Sequence, residues 1–298
     1  MGLSLENISQ AQRERLAFIE FRAYFLGEVR RADIIARFGI ETAAATRDIA
    51  LYRKISNENL ALDSKTKTYL PRQGFVPVFE HPEDRVLSAL TKGFGEGLGG
   101  QTKALITCEI PQSLHHPDVA LFAPITQAIN RRKAVRITYT SFTSGQSERE
   151  IMPFALANNG LRWHVRAYDR LRKDFRDFVL TRIGSSELLE ESRVEDYEEP
   201  ANDFEWSRIV ELELVPHPKK TMQFEVIALD YGMSAEDLVL KVRVRAALAG
   251  YFLRQWSVDC SKAHKLDSPE MRLWLRNPLA LYGVNSASLA PGYDQRSR

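Results

Sequence analysis

Residues 161–183 read L-R-W-H-V-R-A-Y-D-R-L-R-K-D-F-R-D-F-V-L-T-R-I, with cations set among apolar side chains. Two runs carry the two-residue period of a strand. In the first, Trp163, Val165 and Ala167 share a face, and Arg162, His164, Arg166 and Tyr168 share the other. In the second, Asp177, Val179, Thr181 and Ile183 oppose Arg176, Phe178, Leu180 and Arg182. The polar link 169–174 is short enough for a hairpin, though it lacks a two-residue turn signature. Paired this way, the runs put several guanidinium groups on one small sheet. Arginine is rarely buried without a partner, and its planar fork matches phosphate or carboxylate oxygens, so the chemistry on offer is anion recognition. The pattern alone is equally consistent with a solvated strand face.

W-H-V-R-A-Y followed by F-R-D-F-V-L-T-R-I resembles the signature of the WYL domain, a ligand-sensing module of bacterial transcription regulators. The tripeptide here is Trp163-His164-Val165, similar to a branch of WYL regulators found beside anti-phage defence operons. A pocket patterned on the tyrosine-containing branch therefore does not transfer unchanged. Upstream, a strand over 135–141 puts Val135, Ile137, Tyr139 and Ser141 on one face, and a Ser/Thr/Gly loop leads to 149–153. There I-T-Y-T-S and R-E-I-M-P-F-A-L resemble the first half of the same domain. The resemblance implies a small Sm-like, SH3-like β-barrel with a ligand pocket of Tyr139, Ser141, His164, Arg166, Arg176 and Arg182. In that pocket Arg166 and Arg182 would pair with phosphate or carboxylate oxygens. Tyr139 and Ser141 would add hydroxyl hydrogen bonds, and His164 would donate to phosphate or stack on a base. An anionic ligand, a nucleotide or single-stranded nucleic acid, fits these groups. Residues 121–190 hold 12 basic and 7 acidic side chains, a local net of +5. For Arg176 the competing expectation is an ion pair with Asp174 or Asp177.

Ahead of this sensor stand the elements that would carry its signal. The spacing of Leu16, Ile19, Ala23 and Leu26 predicts a helix over 12–26, broken by Gly27. Ile34, Ile35 and Phe38 predict a short helix over 31–38, stopped by Gly39. A third helix, 41–55, turns Ala45, Ile49 and Tyr52 inward and Thr42, Ala43, Thr46, Arg47 and Lys54 outward. Two helices across a glycine-containing turn form a helix-turn-helix, whose second helix enters the major groove N-terminus first. Leu60 and Leu62, a turn at Asp63-Ser64, and a return strand holding Lys67 and Tyr69 make a hairpin wing tipped by Lys65 and Lys67. A-D-I-I-A-R-F-G-I-E-T-A-A-A-T-R-D-I with this wing resembles the winged helix-turn-helix of WYL regulators, and Arg47-Asp48-Ile49 a recurring tripeptide of their recognition helix. Lys65 and Lys67 are expected on phosphates, and Thr42, Ala43 and Thr46 on base edges. Arg31 is equally a phosphate contact or a solvent charge. Residues 1–72 hold 12 basic and 9 acidic side chains, only +3.

The fold class is thus α+β multidomain. Expected are a winged domain over 1–72, a connector over 73–123, the sensor over 124–190, and an acidic linker with a small α/β domain over 191–298. In the connector, Gly74, Pro77 and Pro82 mark a break, and Val86, Leu87 and Leu90 suit a helix over 82–94. G-F-G-E-G-L-G-G, 93–100, lacks a G-K-[ST] ending and reads as a joint. His115 and His116 lack a third ligand, so no metal site is expected. A helix opening on Pro124 should run to 132 with Ile125, Ala128 and Ile129 inward and Arg131-Arg132-Lys133 at its end. Residues 187–205 carry nine acidic side chains against Arg193 alone, the mark of a solvated linker or a surface strand. Beyond lie an expected strand 211–215, helix 218–230 closing at Gly232, strand 238–244, helices 246–256 and 269–277, and about ten frayed residues. WYL regulators often use such an extension for dimerisation or to lie over the sensor pocket.

At 298 residues, with 44% hydrophobic and 27% charged residues, the chain has the composition of a soluble globular protein. Its net charge of +2 selects no partner class. Two distant cysteines, Cys108 and Cys260, fit a reducing cytoplasm, and neither a signal peptide nor a membrane span is evident. No G-x-S-x-G, H-E-x-x-H or Walker motif occurs, so no enzyme and no cofactor are expected. The reading is a homodimeric transcriptional repressor that binds an inverted-repeat operator in double-stranded DNA, senses an anionic ligand and controls an anti-phage operon. The alternatives are an activator sensing DNA damage through single-stranded DNA, and an RNA- or nucleotide-binding module whose helix-turn-helix only packs.

Overall fold

A computed structural model describes residues 8–94, 104–109, 111, 114–234 and 236–294. They fall into two compact units, Met1–Ile110 and Pro111–Arg298.

Among its described residues the first unit holds four helices and a hairpin. Helix α1, Gln10–Leu26, starts where Ser9 accepts the Gln12 N–H and ends where Gly27 takes φ 76°. Helices α2, Arg31–Phe38, and α3, Thr42–Ile55, are separated by Gly39 at φ 61°. Strands β1, Leu60–Asp63, and β2, Thr68–Pro71, pair antiparallel, and Val29 bridges to Tyr69. The apolar stripes meet in one core of Leu16, Ile19, Ile34, Ala45, Ile49, Tyr52 and Leu60. Phe75, Phe79 and Phe94, from the segment read as connector, pack on that same core. Helix α4 spans Glu83–Lys92. Most of the proposed glycine-rich joint, 95–100, lies outside the described residues. Lys67 is in the turn at φ 56°, one residue before the return strand that was to hold it.

The second unit opens on α5, Val119–Arg131, capped by Asp118. Pro124 therefore sits inside the helix rather than opening it, because the cap lies upstream. Five antiparallel strands follow: β3 Ala134–Ser141, β4 Gly145–Asn158, β5 Trp163–Asp169, β6 Asp174–Val179 and β7 Ile183–Leu189. Their order is β6-β5-β4-β3-β7. The single strand expected over 176–183 is broken by a 3₁₀ turn, Leu180–Arg182, which takes the chain out of β6 and into β7. That short turn joins the two edge strands, so the sheet must curl until its edges approach. No ladder links β6 to β7, however, and the expected closed barrel is an open sheet. Ile125, Ile137, Ile151, Val165, Ala167 and Phe178 fill its concave core.

A second sheet, order β10-β11-β8-β9, packs on two helices. Its parts are α6 Phe204–Ser207, β8 Ile209–Pro216, α7 Phe224–Asp230, β9 Leu240–Arg245, α8 Ala246–Gln255, β10 Val258–Asp259 and β11 Leu273–Leu275. Helix α7 begins later than expected, after a turn in which buried His217 accepts the Lys219 N–H and sits 3.2 Å from Asp259. The expected helix over 269–277 is instead a strand, because Leu273 and Leu275 alternate into the core beside β8. Fraying does not begin at 289: Cys260 N–H donates to the Pro291 carbonyl, and Tyr293 packs on the core. Gly250 allows the closest approach here, since a Cβ would lie 1.7 Å from the Ser286 carbonyl oxygen.

Candidate functional site

In the first unit, Ala45, Ile49 and Tyr52 seat α3, which leaves Thr42, Ala43, Thr46, Arg47 and Lys54 exposed on its outer side. Arg31 is partly exposed at the start of α2. Thr46 donates its hydroxyl to the Thr42 carbonyl at 2.9 Å. Of Arg47-Asp48-Ile49, only Arg47 faces outward; Asp48 is buried and held by Gln12 Nε2 at 2.8 Å and Arg15 Nε at 2.6 Å. That carboxylate fixes α3 to α1, a role the tripeptide alone did not disclose. On the wing, Lys65 and Lys67 are exposed, and no acidic partner is recorded for either among the described residues. Asp63 organises the tip by accepting from Lys65 N–H and the Thr66 hydroxyl, and these bonds hold its pKa down. Small side chains on a helix start, flanked by free ammonium groups, suit a groove and its phosphates.

In the second unit, Tyr139, Ser141, Arg166 and Arg176 line one cavity of about 420 Å³. Arg149 and Arg172 join them, as do Tyr251 and Asn285 from the C-terminal part. His164 and Arg182, expected in the same pocket, do not line it. His164 is buried beside Tyr251, ring centroids 5.3 Å apart. Burial first, then the charges of Arg162 and Arg182, draw its pKa down to about 4, so it is a neutral imidazole near pH 7. The Arg182 guanidinium lies 4.1 Å from the centroid of the Phe142 ring, a cation–π contact in place of an anion. Tyr139 accepts the Val179 N–H at 3.3 Å, which ties the cavity wall to the end of β6.

The cations in the cavity are not equally available. Arg176 is half-exposed, with Asp174 at 3.6 Å, a loose form of the expected ion pair. Arg149 is buried and donates to Asp169 at 2.5 Å. Arg166, expected to offer its fork to a ligand, is buried against Asp203 and Asp177. Here the acidic stretch 187–205 departs from a solvated linker. Its Asp203 holds Arg166, its buried Glu198 takes both oxygens to Arg170, and its Glu205 accepts the Asn285 N–H. Buried carboxylates need cationic or N–H partners, and those partners lie on β5 and beyond, so composition alone hides the pairing. A second cleft, about 670 Å³, is lined by Tyr168, Arg170, Lys173, Arg193, Glu195 and Tyr197. Arg149 opens the R-E-I-M-P-F-A-L motif without having been expected in the pocket, and no motif in the sequence pointed to Tyr251 or Asn285. Among the described residues no group of three or more His, Cys, Asp or Glu is placed to hold a metal ion, and no helix is long and apolar enough to cross a membrane.

Three family models match the chain: the BrxR transcriptional regulator winged helix-turn-helix domain over 11–92, the WYL domain over 120–188, and the BrxR transcriptional regulator C-terminal dimerization domain over 209–281. The chain is 31% identical over 277 residues to the DNA-binding transcriptional repressor CapW of Pseudomonas aeruginosa, covering 89% of each chain. It is 29% identical over 284 residues to CapW of Escherichia coli (strain KTE188), covering 92% of this chain and 91% of that one. To CapW of Stenotrophomonas maltophilia it is again 29% identical, with 89% and 92% covered. Among solved structures it matches proteasome accessory factor B/C of Arthrobacter aurescens at 20% identity and a TM-score of 0.24, over 80% of this chain. The chain spans 44% of the length of that protein, and the likeness is too loose to bear on the fold.

Proposed function

The chain belongs to the WYL-domain transcriptional regulators represented by BrxR and CapW, and from that premise we propose that it is a homodimeric repressor. Its first unit binds an inverted-repeat operator, and its sensor cavity answers to an anionic ligand of nucleotide or nucleic-acid type. The observation that carries the DNA-binding half is the exposed N-terminal face of α3, with Thr42, Ala43, Thr46 and Arg47, together with the uncompensated Lys65 and Lys67 of the wing. Lys54 and Arg31 add positive charge for flanking phosphates.

The sensing half is supported by four arginines on one cavity wall: Arg149, Arg166, Arg172 and Arg176. With Tyr139 and Ser141 beside them, the cavity has both charge and hydroxyl donors for phosphate oxygens. His164 and Arg182 are then supports of the sheet rather than ligand contacts. Dimerisation is supported by an exposed apolar stripe on and before α7: Met222 is 96%, Val226 59% and Leu229 81% exposed. The resemblance to the defence-associated branch supports control of an anti-phage operon.

A transcriptional fusion of the DNA upstream of the gene to a reporter tests this reading. Deleting the gene should raise expression, and Arg176→Ala should keep repression while losing induction. A fall in expression on deletion would make the protein an activator. Unchanged expression would remove the operator from that DNA.

A further inference from the structure

Arg166 is 6% exposed, yet its guanidinium reaches the wall of the sensor cavity. Its fork is already taken. Nε donates to Asp203 Oδ2 at 2.8 Å and Nη2 to Asp203 Oδ1 at 3.0 Å, while Nη1 donates to Asp177 at 3.3 Å. Two parallel N–H···O bonds to one planar oxyanion are the geometry by which a guanidinium holds a carboxylate or phosphate ligand. We propose that Asp203 is a built-in occupant of the anion site: an incoming oxyanion takes the Arg166 fork from Asp203, and the freed carboxylate releases the segment that joins the sensor to the C-terminal domain. This rests on the cavity being an anion sensor, as argued above.

Asp203 is placed to pass that event on. Its Oδ1 also accepts the Trp206 N–H at 3.0 Å, so the same carboxylate caps α6. Three residues of that cap region, Glu205, Trp206 and Arg208, are tied to the C-terminal part. The Trp206 carbonyl accepts from Arg245 Nη1 at 2.6 Å, and the Arg245 guanidinium lies 4.6 Å from the Trp206 ring centroid. Glu205 accepts the Asn285 N–H at 3.1 Å, and Arg208 donates to the Tyr282 carbonyl at 2.8 Å. Arg245 in turn precedes α8, whose Tyr251 lines the cavity together with Asp177. One carboxylate thus links a cavity cation, a helix start and the region that matches a dimerisation domain.

Charge balance favours exchange over simple addition. Arg166 faces two carboxylates, and burial pushes the Asp177 carboxyl up from its ordinary value. A further anion beside both acids would be repelled; one that replaces Asp203 inherits its two hydrogen bonds and gains the nearby Arg172 and Arg176. The pair formed by Arg170 and Glu198 supplies an internal comparison. It has the same two-bond geometry and comes from the same acidic stretch, but neither residue lines this cavity.

The test uses the full chain with Asp203→Asn and Asp203→Ser, which remove the charge while keeping a helix-capping oxygen, and Glu198→Gln as comparison. Calorimetry with inorganic pyrophosphate and with a ten-residue oligothymidylate reads affinity; hydrogen exchange reads the amides of 204–208. Both Asp203 variants should bind at least one probe about tenfold tighter than wild type, with Glu198→Gln unchanged. Without ligand their 204–208 amides should exchange about tenfold faster, and a saturating probe should produce that same change in wild type. Equal affinity in wild type and both Asp203 variants would overturn the exchange while leaving the anion sensor standing. Binding of neither probe by any of the four proteins would overturn both. Tighter binding without faster exchange at 204–208 would overturn the relay to the C-terminal part.

Discussion

The carboxylate of Glu20 on α1 accepts a hydrogen bond from the Tyr52 hydroxyl on α3 at 2.9 Å, with both side chains fully buried. The same carboxylate accepts the N–H groups of Val78 and Phe79 and lies 2.9 Å from His81 Nε2. One acid therefore fastens the helix read as the recognition helix to α1 and to the segment that follows the wing. Burial raises the Tyr52 pKa far above the usual phenol value. Glu20→Ala would orphan four donors and should cost about 3 kcal/mol in urea unfolding of the first unit, against about 1 kcal/mol for Tyr52→Phe. Equal, small losses for both would mean that water replaces the carboxylate and the tie is unimportant.

Lys65 and Lys67 are exposed at the wing tip. Each phosphate contact releases counterions, so the double change Lys65→Ala, Lys67→Ala should flatten the slope of log affinity against log salt by up to about 2. Affinity should fall on operator and scrambled DNA alike, because phosphates carry no sequence. A slope equal to that of wild type would take the wing out of the interface.

His164 makes stability depend on pH with a defined sign. Its folded pKa of about 4 lies below the ordinary imidazole value of 6.5 that the unfolded chain keeps. Above 6.5 both states carry the neutral ring. As pH falls toward 4 the unfolded chain takes up a proton that the folded chain refuses, so stability drops, by about 3 kcal/mol once both are protonated. His164→Gln should unfold at more similar urea concentrations at pH 7.5 and 4.5 than wild type does. An identical pH dependence in the two proteins would show that the ring titrates normally in the fold.

Met222 and Leu229 point their side chains to solvent from the region that matches a dimerisation domain. Met222→Asp with Leu229→Asp should convert the protein to a monomer by light scattering and weaken operator binding at least about tenfold, since two linked half-site contacts become one. A dimer that survives both changes places the interface on another face.

The winged unit was legible because its helices are half-buried. Leu16, Ile19 and Ala23 on α1, and Ala45, Ile49 and Tyr52 on α3, repeat at the helical period, and α1 and α2 end at glycines that take positive φ. The sensor strands were legible up to the 3₁₀ turn at Leu180–Arg182, where the chain passes from one edge strand to the other and the local alternation of 176–183 gives no sign of it. The acidic stretch misled for a different reason. Asp203 and Glu198 are read locally as solvated charge, but their guanidinium partners lie 37 and 28 residues away along the chain. Residues 269–277 failed similarly, since the strand Leu273–Leu275 is made by pairing with β8 on one side and β10 on the other. Local pattern predicts exposure; it does not predict which distant group removes the need for it.

Footprinting of the full-length protein on the DNA upstream of its gene, beside scrambled DNA of equal length across a salt series, decides whether it is a dimeric repressor. Two protected half-sites in inverted orientation, their centres about one or two helical turns apart, should appear on the upstream fragment alone. Uniform, purely salt-driven protection of both fragments would contradict operator recognition by α3 and leave the arginine-lined cavity as the main seat of nucleic-acid binding.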